Sequence, residues 1–193
     1  MHNDIVKFLN ESVSGCEATL RDDLAGDPVI FVNKENIYDV CKNLKEGKFE
    51  FNVLQVITGT DYEDRYEVSY ILASYSKNSE LILKTKLNKD KDENKETEPV
   101  LDTVTSLWKA ANFQERECYD MLGVTFTNHP DPRRILCPDD WKGFPLRKDY
   151  VVEEVYNGMT VNPAEKINSA DHNYFQEMKE KYGDKKVMHS WKK

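Results

Sequence analysis

Glu115, Arg116, Glu117 and Asp120 fall on a short run of chain, and His129 and Asp131 follow close behind. Carboxylates beside an arginine and a histidine are the residue types from which acid–base catalysis or a metal site is assembled. Paired carboxylates at helical spacing could act as general acid and general base. The same residues also fit a structural cluster, in which Arg116 bonds the carboxylates bidentately and the group holds the following loop. The surrounding sequence offers catalysis no support. Pro130 separates His129 from Asp131 and Pro132 follows, so no helix aligns them as ligands, and the other histidines (His2, His172, His189) are far away. The cysteines, Cys16, Cys41, Cys118 and Cys137, are scattered without a C-x-x-C pair. Zinc or iron–sulfur binding needs thiolates pre-arranged at short spacing, so these read as reduced thiols. The chain contains no G-x-G-x-x-G, G-x-x-x-x-G-K-[ST] or G-x-S-x-G motif. We expect no catalytic, cofactor-binding or metal-binding residue in this chain.

The segment after Gly123 is different in kind. Pro130, Pro132, Pro138 and Pro145 stiffen it and remove backbone donors, so it cannot form regular structure yet loses little entropy on docking. Arg133, Arg134, Arg147 and Lys148 offer charged donors beside Asp149, while Trp141, Phe144 and Tyr150 offer apolar anchors. Arginine with aromatics is the composition of interface hot spots. His129–Tyr150 thus reads as a strap that clasps a partner, rooted in the helical cluster Glu115–Asp120 that Gly123 terminates.

The elements that position these residues follow from periodicity. Ile5, Phe8 and Leu9 share a helical face, and Val29–Val32 is an apolar run introduced by Pro28, expected as a buried strand. Asn33 is placed to cap a helix carrying Ile37, Val40, Cys41 and Leu44, closed by Gly47. Three alternating runs follow: from Phe49 through Val53 to Gly59, Tyr66–Leu72, and Leu81–Leu87 with Lys84 and Lys86 on its wet side. Val104, Leu107 and Trp108 stand at helical spacing within Leu101–Ala111. Residues 88–98 are a mixed-charge loop, and a short helix is expected over 171–181 in a polar tail. The order predicts an α+β fold: a two-layer domain with a mixed, mostly antiparallel sheet packed on helices, followed by an extended C-terminal segment. The boundary is expected near residue 125, with a core domain over 1–125 and strap and tail over 126–193.

Bulk properties narrow the function classes. A chain of 193 residues can bury one core. Its formal charge of −8 argues against nucleic-acid binding. No apolar run approaches the roughly 20 residues a membrane span requires, and the N-terminus does not read as a signal or transit peptide.

Three linked blocks carry a resemblance. Glu115-Arg116-Glu117-Cys118-Tyr119-Asp120-Met121-Leu122-Gly123, His129-Pro130-Asp131-Pro132-Arg133-Arg134-Ile135-Leu136 and Gly143-Phe144-Pro145-Leu146-Arg147-Lys148-Asp149-Tyr150 resemble the signature of the C subunit of proton-pumping NADH:quinone oxidoreductase, respiratory complex I, in its free-standing form. The likeness spans roughly residues 28–150. Departures are Phe113 where tryptophan is usual, Asn128 where glycine is, Pro132 for leucine and Phe144 for histidine; Asn128 is then expected in a left-handed backbone.

The resemblance implies a non-catalytic subunit of the hydrophilic arm. It implies that FMN, iron–sulfur clusters, NADH and quinone are held by other subunits, that the strap wraps the D subunit beside the quinone site, and that neighbouring arm subunits are further partners. It also implies a peripheral place on the cytoplasmic face of the inner membrane, reached only through the complex. Arg133, Arg134, Trp141, Phe144, Arg147, Lys148, Asp149 and Tyr150 are then interface residues, and Glu115, Arg116, Glu117 and Asp120 orient the strap. Two alternatives stand beside this: the equivalent subunit of an energy-converting hydrogenase or of a ferredoxin- or deazaflavin-dependent reductase, and a soluble enzyme acting on an anionic substrate.

Overall fold

Alternating apolar residues between positions 53 and 88 form three long strands in a computed structural model that describes residues 1–22, 26–89 and 99–161. These are β3 (Val53–Asp61), β4 (Arg65–Ser74) and β5 (Ser79–Asn88), an antiparallel meander. Upstream lie α1 (His2–Ser12), β1 (Thr19–Arg21), β2 (Val29–Val32) and α2 (Ile37–Glu46). The sheet runs β1-β2-β5-β4-β3, with β2 parallel to β5 and the other pairs antiparallel. This is the mixed, mostly antiparallel α+β sheet that the element order implies.

The pleat explains the layers. Leu81, Leu83 and Leu87 of β5 point inward while Lys86 is exposed and Lys84 half-buried. Tyr66, Val68, Tyr70 and Leu72 of β4 join them in the core. Ile5 and Leu9 of α1 and Ile37, Val40, Cys41 and Leu44 of α2 belong to the same core. Asn33 does accept a capping bond, from Glu35 N–H at 3.3 Å, but it caps a 3₁₀ turn over Lys34–Asn36, and α2 starts after that turn. Gly47 N–H closes α2 on the Asn43 carbonyl at 2.9 Å.

The expected helix over Leu101–Ala111 does not form. Val100–Asp102 is a strand, β6, parallel to β7 (Thr125–Thr127). Val104, Leu107 and Trp108 occupy one turn, with Leu107 N–H and Trp108 N–H both donating to the Val104 carbonyl. Pairing with β7 holds the backbone extended just before it, which outweighs the apolar spacing. The next helix, α3, is Ala111–Leu122.

Met1–Tyr150 forms one compact unit and Val151–Lys193 a second. Within the second, β8 (Val155–Tyr156) and β9 (Met159–Thr160) make a hairpin turning on Asn157 and Gly158, both with positive φ. That is the backbone a two-residue primed turn requires. The mixed-charge residues 90–98 and the expected helix over 171–181 lie outside the described residues.

Candidate functional site

Helix α3 anchors the site, and its register explains its chemistry. Ala111, Glu115, Cys118 and Leu122 are buried at i, i+4, i+7 and i+11, one helical face turned to the core, and Asp120, on the opposite side of the helix, is buried as well. Glu115 therefore stands where an apolar residue is expected. The helix lies against the outer edge of β3 through Gln114, whose side chain substitutes for a further strand. Ile57 N–H donates to Gln114 Oε1 at 2.7 Å, and Gln114 Nε2 donates to the Gln55 carbonyl at 3.1 Å. Close packing continues at Gly59, where an added Cβ would collide with Leu122 Cδ1.

Segment 129–150 folds back on the C-terminal half of α3. Asp120 Oδ2 accepts three consecutive backbone N–H groups, from Ile135, Leu136 and Cys137 at 3.1, 2.6 and 2.8 Å. Its Oδ1 accepts Arg134 Nη1 at 2.8 Å, and Arg134 Nη2 continues to the Gly143 carbonyl at 2.9 Å. Burial disfavours the charge on Asp120, but the three backbone bonds and Arg134 outweigh it, so the carboxyl titrates below its ordinary value.

The end of α3 is closed by the same segment. Gly123, left-handed at φ 74°, returns its N–H to the Tyr119 carbonyl. Leu146 N–H donates to the Met121 carbonyl at 3.0 Å, and Arg147 Nε to the Leu122 carbonyl at 2.7 Å. Carbonyls that a helix end leaves without intrahelical partners are thus bonded by the strap, and its arginines sit at the negative end of the helix dipole. Phe144 lies between the guanidiniums of Arg134 and Arg147, at 5.1 and 4.4 Å from its ring centre, and meets Tyr119 edge-on. Arg147 also covers Tyr66 at 5.5 Å. Lys148 N–H donates to Asp61 Oδ2 at 2.7 Å, and Lys89 ion-pairs with the other oxygen of Asp61. Trp141 Nε1 donates to the Tyr150 hydroxyl at 3.1 Å.

The root is not an ion-paired cluster of the four helix residues with one another. Arg116 does not bond the carboxylates of its own helix. It donates to the Arg133 and Arg134 carbonyls at 2.9 and 3.1 Å and pairs with Asp131 at 3.2 Å. A guanidinium fork finds convergent carbonyls on the strap that a helix surface does not present. Glu117 is exposed, and Glu115 and Asp120 each turn to other partners. Arg133 is exposed and forks onto Asp131 at 2.6 and 2.9 Å; this pairing holds Asp131 below the usual carboxylate range. His129 Nδ1 accepts Asp131 N–H at 3.0 Å, and its Nε2 lies 3.2 Å from the Asn112 carbonyl. Asn128 has φ 61°, the left-handed backbone expected of it. Lys148 and Asp149 are exposed, as are Leu136 and Leu146. Sequence reasoning missed Gly59, Asp61 and Tyr66 as parts of this assembly, since they are far from the strap in sequence, and Gln114, whose partners on β3 are equally distant.

Among the described residues no group of three His, Cys, Asp or Glu side chains converges as a metal site. No helix among them is long and apolar enough to cross a membrane.

The model of the respiratory-chain NADH dehydrogenase 30 kDa subunit family matches residues 30–156. The chain belongs to this family. The matched span runs from β2 to β8, so α3 and the whole strap lie within the region that defines the 30 kDa subunit family. The NADH-quinone oxidoreductase C subunit of Roseiflexus sp. (strain RS-1) is 41% identical over 128 residues, covering 64% of this chain and 70% of that protein. Its counterpart from Geotalea uraniireducens (strain Rf4) is 40% identical over 140 residues, covering 69% and 80%. Among solved structures, a chain of the membrane-bound sulfane sulfur reductase, an archaeal respiratory membrane complex, matches with TM-score 0.60 at 25% identity, covering 77% of this chain and 85% of that one. A trypsin-resistant fragment of Nqo5 matches with TM-score 0.50 at 26% identity, covering 68% and 99%.

Proposed function

We propose that this chain is a non-catalytic subunit in the peripheral arm of a proton-translocating NADH:quinone oxidoreductase, on the cytoplasmic face of the membrane. It holds no redox group, and the strap clasps the neighbouring D subunit, which shapes the quinone site. Family membership supports the complex. One observation supports the clasp: the strap is already folded on α3 through Asp120, while its outer side keeps Arg133, Leu136, Leu146 and Lys148 exposed. A pre-folded docking element keeps more of its contact energy as affinity, because little ordering entropy remains to be lost. Arg134, Phe144 and Arg147 bond within the strap and to α3, so in this reading partner contact falls to the exposed residues between and beside them.

The test is Leu146→Asp, on the outer side. Its thermal unfolding should match the parent, because the Leu146 side chain is exposed. A charge forced into an apolar contact should weaken assembly with the quinone-site subunit by about 2 kcal/mol or more, roughly thirtyfold. Normal incorporation of this variant into the arm, measured by co-purification and NADH:quinone activity, contradicts the clasp.

The match to the membrane-bound sulfane sulfur reductase favours a second reading, a related respiratory membrane machine with another electron donor. Co-purification of an NADH-oxidising, flavin-bearing subunit with the tagged chain supports the first reading; its replacement by a ferredoxin-linked module supports the second.

A further inference from the structure

Glu115 is fully buried, and its carboxyl is held by three neighbours: Val104 N–H on Oε1 at 2.8 Å, Thr103 Oγ1 on Oε2 at 2.5 Å, and His129 Nε2 at 3.7 Å from Oε2. Other titratable groups facing this region are Cys41 from α2, Tyr70 from β4, Cys118 from α3 and Asp102 at the end of β6. All four are neutral or acidic types, and Asp102 is engaged by the Thr127 hydroxyl. The cations nearby are directed elsewhere: Arg116 to the strap carbonyls, and Lys45 to the Leu107 carbonyl.

The Thr103 hydroxyl stands between two oxygens, Thr105 Oγ1 and Glu115 Oε2. It has one proton and two acceptor positions. It accepts Thr105 N–H at 3.2 Å and lies 3.0 Å from Thr105 Oγ1 as well as 2.5 Å from Glu115. With Glu115 ionised, Thr103 donates to Oε2 and accepts from the Thr105 hydroxyl. With Glu115 protonated, the carboxyl donates to Thr103, which donates to Thr105. Both arrangements satisfy every position on Thr103 without moving a heavy atom. Thr105 in turn lines an open cleft of about 390 Å³, together with Ser106, Lys109, Asn112, Asn128 and Pro130.

We infer that Glu115 is a proton-binding site that exchanges with solvent through the Thr103 and Thr105 hydroxyls, and that its charge state is sensed by His129 at the root of the strap. The transfer balances. A hydronium in the cleft gives one proton to Thr105 Oγ1 and is left as water, Thr105 passes its own proton to Thr103, and Thr103 passes its own to Oε2; no electrons change owner. His129 is placed to respond, because accepting Asp131 N–H on Nδ1 leaves its proton on Nε2, directed at the Asn112 carbonyl with Glu115 beyond. Ionised Glu115 draws that N–H toward itself, and neutral Glu115 leaves it to Asn112. Independently of the geometry, burial raises the Glu115 pKa to about 7 against the opposing pull of Thr103 and Val104.

The experiment is a titration of the full chain with carboxyl-labelled glutamate and ring-labelled histidine, followed by NMR. Glu115 is expected to titrate with a midpoint at about 7, with a simultaneous shift of the His129 ring that vanishes in Glu115→Gln. Thr105→Val should keep the midpoint and slow proton exchange at the carboxyl. A Glu115 midpoint at the ordinary value of about 4.5, or a His129 ring indifferent to that step, overturns the site. Unchanged exchange in Thr105→Val overturns the relay. The titration of the unsubstituted chain decides the first point even if a variant fails to fold.

Discussion

Asp120 shows how one carboxylate can organise a segment without regular structure. Three successive N–H groups on a single oxygen, with Arg134 on the other, satisfy donors that a chain without secondary structure otherwise leaves to water. Asp120→Asn keeps the shape but replaces one acceptor oxygen by a donor, so either Arg134 or the backbone trio loses its partner. Breaking a buried charge pair from one side costs about 3–5 kcal/mol, and urea unfolding should show a loss near the lower figure. The pH dependence has a definite sign. The folded-state pKa is depressed, so the contribution is present above the unfolded value of about 3.9 and is lost as pH falls through the folded value. The Asp120→Asn chain should lack that acid-side loss. Sequence reading placed Asp120 in the cluster but sought its partners among side chains of the same helix. Backbone N–H groups are identical at every non-proline residue, so no motif marks Ile135, Leu136 and Cys137 as the true ones.

At the scale of elements, the junction of α3 with the strap is set by glycine. Gly123 has φ 74°, and an added Cβ would lie 2.6 and 2.8 Å from Phe144 ring atoms and closer still to Arg147 Nη2. Gly123→Ala therefore combines a left-handed penalty of about 1–2 kcal/mol with displacement of the ring that the two arginines hold. We expect melting to fall by about 4–8 °C and proteolytic cleavage to appear within 129–150 while the sheet persists. Cleavage confined to other segments would show that the strap does not depend on this contact. Gly123 as helix terminator was legible, as were α1, α2 and the meander, because their periodicities are local. The parallel pairing of β2 with β5 and of β6 with β7 was not, since it joins strands distant in sequence. The second pairing also defeated the helical spacing of Val104, Leu107 and Trp108. Asn157-Gly158 carried a plain hairpin signal that a polar tail concealed.

For the molecule as a whole, family membership was legible because three motif blocks are linked at fixed spacing, whereas the internal character of the strap was not. Arginine beside aromatic residues reads as an interface, yet Arg134, Phe144 and Arg147 stack on one another and on α3. The same composition serves a fold-back and a docking surface, and only geometry separates them. Glu115 gives this fold-back a global consequence. Its pKa of about 7 in the folded chain, against about 4.5 when unfolded, means that unfolding releases a proton between those values. Stability from this group is fully present below the unfolded value and is lost as pH rises through the folded one, at up to about 1.4 kcal/mol per pH unit. Glu115→Gln keeps an acceptor for Val104 N–H and a donor for Thr103 but carries no proton to lose. Urea unfolding of both chains at a series of pH values should give a difference that shifts steadily in favour of the glutamine chain across this window, then levels above it. Asp120 and Asp131, both held below the ordinary carboxylate value, titrate on the acid side of this window and are common to both chains, so they do not shape that difference. A difference independent of pH would place the proton of Glu115 elsewhere.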